Sequence, residues 1–246
     1  QYSEEIQVQS KLLDDALVVT AGAFGLFAHT IGYSQAQVVQ FGSPVNQVFH
    51  PTSRNEAIYA QATYDLGHAS DALQGFKLTA GYRFSWDYRA LDTAARKSTG
   101  ACSLLGADKN CDVSVEMHGS EPSWTLGLDY QATPDTLLYV TGRRGYRAGG
   151  LNSQSLIASQ ISFKPETVED VEIGVKSDWR LMGMKARTNV AAYHSDYSNA
   201  QFSQSYTTLI GGAPVATNLV VNAGSATIEG LEAALTLIPV DGVEVK

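Results

Sequence analysis

The residues best equipped for chemistry in this chain are spaced poorly for most of it. Asp108, Asn110 and Asp112 alternate in "DKNCD", as oxygen donors do at the start of a calcium loop. The glycine and terminal glutamate that complete such a loop are missing, so metal binding is not expected there. Cys102 and Cys111 lie in the same polar loop, with eight residues between them. In an oxidising compartment they would close a small ring. Two free thiols are the alternative, and the loop setting favours the bridge. Two cysteines without a nearby histidine pair do not make a zinc site. His29, His50, His68, His118 and His194 have no ligand spacing. Glu4–Glu5 and Asp14–Asp15 flank turns and read as solvated charge. There is no nucleophile elbow, phosphate-cradling glycine loop or CxxC motif. Neither catalysis nor a cofactor is indicated.

A second group of polar residues recurs at every second position. Arg143 and Arg147 share parity with Tyr139 and Thr141. Asp170, Glu172 and Lys176 do the same in "VEDVEIGVKSDW", as do Lys77 and Arg83, Asp129, and Glu232 in their own segments. The arginines could hold an anionic ligand. They could equally pair with acids such as Asp129, Asp170 and Glu172, and pairing is the favoured reading. Tyr33, Phe49, His50, Tyr88 and Tyr206 fall in or beside long connections and are candidates for ligand contact, with Tyr33, His50 and Tyr206 the foremost.

These positions need strands to carry them. Period-two patterning marks about ten, near 2–10, 17–28, 55–65, 75–89, 122–132, 136–147, 167–179, 184–197, 226–238 and from 243 onward. Several exceed ten residues, enough to cross a bilayer when tilted. Short connections rich in Pro, Gly and Asp alternate with long ones at 29–54, 90–121, 148–166 and 198–225. Strict short–long parity describes an antiparallel meander with all its long loops at one end, the plan of a transmembrane β-barrel. One face is apolar: Phe76, Leu78, Ala80, Tyr82, Phe84 and Trp86 against Lys77, Thr79, Gly81, Arg83 and Ser85. Aromatic residues, among them Trp86, Trp124 and Trp179, border that face near strand ends, where interfacial girdles belong. Glu169 and Glu229 interrupt it only near long loops. The segment 17–28 is apolar on both sides, and its faces cannot be assigned from pattern.

Composition agrees. Of 246 residues, 44% are apolar and 17% charged, with 12 Tyr and 22 Gly, a mixture suited to strands and turns. The net charge of −8 leaves no basic footprint for nucleic acid. No window is apolar enough for a transmembrane helix, which says nothing against a barrel.

"GYRAGGLN" (145–152), "FKPETVEDVEIGVKSDW" (163–179), "KARTNVAAYHSDYSNAQ" (185–201) and "NAGSATIEGLEAAL" (222–235) resemble, in order, the barrel of TonB-dependent outer-membrane receptors. "SEEIQVQS" (3–10) and "YAQATYDL" (59–66) resemble earlier strands of the same barrel. The resemblance implies a bacterial outer-membrane location and a 22-stranded barrel around a globular plug. It also implies a scarce nutrient ligand, most often a ferric siderophore, with haem, cobalamin or oligosaccharide in other members. The energy-transducing partner, TonB, acts through the plug. In the family the segment matching Tyr146 and Arg147 is largely structural.

The chain opens at Gln1 and stops at "DGVEVK", in what reads as another strand. The expectation is therefore an interior part of such a barrel (1–246) without plug or C-terminal strands: an all-β, incomplete, open wall. Two other readings remain: a passive porin-like barrel, and a secreted soluble β-sandwich that binds a ligand such as carbohydrate. The sandwich would cover its apolar face and dissolve without detergent.

Overall fold

A computed structural model describes every residue except 41, 42, 105, 182, 211, 212, 241, 242 and 246. The chain forms fifteen strands among the described residues. They are β1 (Tyr2–Leu12), β2 (Leu17–His29), β3 (Ser34–Gln40), β4 (Ser43–Asp65), β5 (Phe76–Lys97), β6 (Asp112–Thr133), β7 (Thr136–Arg147), β8 (Gly150–Leu151), β9 (Ser162–Phe163), β10 (Glu166–Leu181), β11 (Met184–Ser198), β12 (Gln201–Ile210), β13 (Ala213–Asn222), β14 (Ser225–Val240) and β15 (Val243–Val245).

Ten of them follow one another through a single antiparallel sheet, in the order β1-β2-β4-β5-β6-β7-β10-β11-β14-β15, and β3 folds back on β4. These ten are the strands that alternation marks in the sequence. The sheet does not close: β1 and β15 stand at its two ends. Turns at one end are brief, such as the two residues between β6 and β7. The four long connections all leave the other end, called here the upper end.

The long connections are not the irregular loops expected from the sequence. β4 begins at Ser43, β5 runs on to Lys97 and β6 starts at Asp112. The connection 198–225 is largely the β12–β13 hairpin, a separate two-stranded sheet, and 148–166 contains the short β8–β9 pair. Continued pairing satisfies backbone groups that a bare loop would have to expose or bury unpaired. β5, at 22 residues and about 3.3 Å per residue, spans roughly 73 Å. A membrane strand needs only about 9–11 residues, so the upper half of β4, β5 and β6 rises well clear of any bilayer.

Register is unbroken across β4, β5 and the lower part of β6, so side-chain parity carries from strand to strand. Ile58 pairs with Phe84, and Tyr82 with Trp124. Register also settles the ambiguous β2. Thr20, Gly22 and Phe24 oppose Gln61, Tyr59 and Ala57 on the polar face, while Ala21 and Ala23 oppose Ala60 and Ile58 on the apolar face. That apolar face is uncovered: Ile6, Ile173 and Leu231 are 76%, 61% and 82% exposed. The buried core is small and lies at the upper end, built from Val45, Ala95, Leu104, Cys111 and Leu156.

Candidate functional site

The polar face is organised around tyrosines laid flat over glycines on the neighbouring strand. Tyr139 of β7 pairs with Gly174 of β10, Tyr59 of β4 with Gly22 of β2, and Tyr193 of β11 with Gly230 of β14. A Cβ added at Gly174 would stand 2.5 Å from the Tyr139 ring. Only a residue without a side chain leaves room for such a ring, and the ring covers backbone that the glycine would leave bare.

Lying flat, the Tyr139 and Tyr59 rings deliver their phenols to carboxylates. The Tyr139 hydroxyl donates to Glu172 (2.6 Å), and the Lys176 ammonium sits 5.1 Å from the ring centroid. Arg143 grips Asp170 with two nitrogens (Nε–Oδ1 2.9 Å, Nη2–Oδ2 2.6 Å) and reaches Glu172 at 2.8 Å. The fork of a guanidinium fits a carboxylate in this bidentate way, which fixes orientation as well as charge. On the same face, nearer its β1 edge, the Tyr59 hydroxyl donates to Glu5 and accepts from Gln7. Arg83 lies over both Phe24 (5.4 Å) and Tyr59 (5.7 Å).

The structure therefore brings Tyr139, Arg143, Asp170, Glu172 and Lys176 into one network. Arg143 is spent on acids of its own wall. Glu232 lies on β14, two strands beyond β10, opposite Ala191. Lys77 stands in register between Asp65 and Asp129, and no ion pair joins them among the described residues. Arg147 likewise makes no ion pair among the described residues. It lies opposite Glu166, whose carboxylate accepts from the Gln201 backbone instead. Tyr146 of β7 donates to Asp87 of β5 (2.8 Å), a strut across the intervening β6.

At the upper rim, side-chain amides imitate strand pairing. Asn152 donates to the Val220 carbonyl (3.0 Å) and accepts from its N–H (2.8 Å). Asn222 does the same with Lys164 (2.9 and 2.7 Å). Gln201 Nε2 adds bonds to the Ala148 and Lys164 carbonyls, both 3.0 Å. From the opposite side the buried Gln47 donates to the Ser153 carbonyl (2.8 Å). The segment between β7 and β10 is thus held from two sides. These tethers were not visible in the sequence, because an asparagine's partner depends on which loops meet. Asn222→Ala should cost about 0.5–1.5 kcal/mol locally by removing both bonds to Lys164, whose carbonyl keeps Gln201 while its N–H is left to water. Limited proteolysis of the intact protein should then cut within 198–225 faster, with the main sheet unaffected.

The remaining loop candidates make local contacts where described. The Tyr33 and His50 rings meet edge-on at 5.7 Å, and His50 Nδ1 is 2.8 Å from the Gly32 carbonyl, so the pair pins the turn after β2. Tyr206 lies on β12, and its side chain is outside the described residues. Cys102 and Cys111 form a disulfide with Cα atoms 5.4 Å apart, and Cys111 packs into the upper core. Asp108 accepts from the backbone N–H groups of Asn110 and Asp112, which shapes the loop around the bridge.

Comparison with known proteins places this architecture. The family model described as "TonB dependent receptor-like, beta-barrel" matches residues 7–238. The ferric yersiniabactin uptake receptor FyuA from Yersinia pestis superposes with a TM-score of 0.73 at 16% identity, covering 98% of this chain and 33% of that one. The ferric-catecholate import receptor Fiu from K12 E. coli gives 0.60 at 17% identity, covering 95% and 35%. The chain thus spans about a third of each receptor. The matched family consists of receptors and transporters, not enzymes. With the family model running through nearly all of its meander, this chain belongs to the TonB-dependent receptor β-barrel family.

Proposed function

We propose that the chain is part of the wall of an outer-membrane receptor that binds a scarce nutrient, a ferric siderophore, and imports it with energy from TonB. One observation carries this reading. A single sheet presents a continuous apolar belt on one face and a charged, tyrosine-lined surface on the other. In water such a belt would be a large sticky patch; in lipid it is the surface a barrel requires. A soluble sandwich would lay a second sheet over it, and none does so among the described residues.

On this reading Lys77, Arg83, Asp129, Arg143, Arg147, Asp170, Glu172, Lys176 and Glu232 face the interior. Those not paired within the wall, notably Arg147 and Lys77, are available to a plug domain or a passing ligand. Residues 1–246 would be barrel wall, and TonB would act through a plug supplied by the longer protein. The siderophore assignment draws on the two receptors above, both of which take up ferric complexes.

The test uses the full-length protein in a Gram-negative host. Expected are outer-membrane fractionation, a gel band that shifts on heating, and induction by iron starvation. A heat-shifting outer-membrane protein indifferent to iron would keep the receptor and remove the siderophore. A soluble protein without a heat shift would overturn the reading.

A further inference from the structure

Above the apolar belt, on the same face, lies a cleft of about 800 Å³ that neither the polar network nor the rim uses. It is formed by two rows across three strands: Arg54, Tyr88 and His118 in the upper row, Glu56, Trp86 and Ser120 in the lower. Its rings are held by one another. Trp86 meets Phe84 edge-on at 4.9 Å, and Tyr88 lies 4.9 Å from His118. Arg54 is fixed between the Glu56 carboxylate and the Phe27 ring, 5.2 Å from its centroid. Directly below, one step along each strand, come Ile58, Phe84 and then Tyr82 of the belt.

We propose that this cleft binds the saccharide headgroup of a membrane glycolipid whose acyl chains run down over Ile58, Tyr82 and Phe84; this rests on the outer-membrane reading above. Three features select that ligand. Flat, partly exposed Trp86 and Tyr88 offer apolar planes for the C–H faces of a sugar while tolerating water at their edges. His118, Ser120 and the Arg54–Glu56 pair supply donors and acceptors in the density that neighbouring hydroxyls need. Because Arg54 is already paired with Glu56, its guanidinium is not free to grip a phosphate, so a hydroxyl-rich headgroup fits better than a phospholipid. The contiguous belt beneath explains why the sugar should arrive attached to lipid.

The test compares three probes on the full-length receptor stripped of native lipid, by native mass spectrometry. They are an uncharged diglucosyl diacylglycerol, phosphatidylglycerol with the same acyl chains, and the free disaccharide. The glycolipid should bind at least about tenfold more tightly than either other probe. The double variant Trp86→Ala, Tyr88→Ala should lose about that preference while binding phosphatidylglycerol as before. Ser120→Trp, which fills the cleft and keeps its rings, should lose it too, and guards against a folding defect in the double variant. Equal occupancy by the two lipids, free disaccharide bound as tightly as glycolipid, or unchanged selectivity in Ser120→Trp would each overturn the proposal. Outer-membrane fractionation and the heat shift, measured on the same proteins, report separately on the underlying reading.

Discussion

Ile173→Arg and Leu231→Arg are each expected to cost about 2–4 kcal/mol of stability in a bilayer, the penalty for a cation near the middle of a barrel's lipid face. Both positions sit in the belt, on β10 and β14, and both are largely uncovered by protein. In a soluble protein an exposed site would accept arginine within about 0.5 kcal/mol. The size of the effect therefore separates lipid from water outside the sheet. The comparison substitution is Glu172→Gln, adjacent to Ile173 and on the opposite face. It keeps the size of the side chain but exchanges one accepting oxygen for an amide donor, so the bond from Tyr139 or that from Arg143 is lost, and it should cost about 1–1.5 kcal/mol, less than either arginine. Urea unfolding of the full-length receptor in vesicles, followed by loss of the heat-dependent gel shift, measures all three. Equal effects on the two faces would contradict the assignment.

Gly174→Val should be the most damaging change on the polar face. The new Cβ would meet the Tyr139 ring at 2.5 Å, and the ring cannot move without surrendering its bond to Glu172 and its contact with Lys176. Overpacking of this kind costs about 1–3 kcal/mol. Tyr139→Ala alone removes the ring and bares the glycine. Joined to Gly174→Val it also removes the clash, so the two changes should offset one another by about 1 kcal/mol or more in a double-mutant cycle. Strict additivity would show that the ring and the glycine do not act as a unit.

Much of this fold can be read from the chain, and the failures have physical causes. The ten strands of the main sheet alternate cleanly because the middle of each separates two unlike surroundings. Where a strand rises above the belt that contrast fades, and so does the pattern. Residues 90–97, "ALDTAARK", have no period of two and read as loop, yet they continue β5 through pairing with β4. β12, "QFSQSYTTLI", is too polar to announce a strand and is one because β13 lies beside it.

The candidate site divides in the same way. Parity alone put Arg143, Asp170, Glu172 and Lys176 on one face, since they are near in sequence or share a phase. Gly174 beneath Tyr139, and Asn152 paired to Val220, depend on register and on loop meetings between residues 35 and 68 positions apart, which no local pattern records. The cleft beside Trp86 was hidden for another reason. Aromatic residues at a strand end read as an interfacial girdle, and only the pairing with Arg54 and His118 shows that they enclose a space.

The central claim is that the two faces of this sheet meet different solvents. It is tested most directly by spin labels placed singly along residues 168–179 of β10 in the full-length receptor, reconstituted in bilayers. Collision rates with oxygen, which partitions into lipid, should peak at Val171, Ile173 and Val175. Rates with a water-soluble nickel chelate should be higher at Asp170, Glu172 and Lys176, giving two curves of period two in opposite phase. If Val171, Ile173 and Val175 proved open to the nickel chelate, or closed to both reagents, the apolar face would lie against water or protein, and the membrane-wall account would fail.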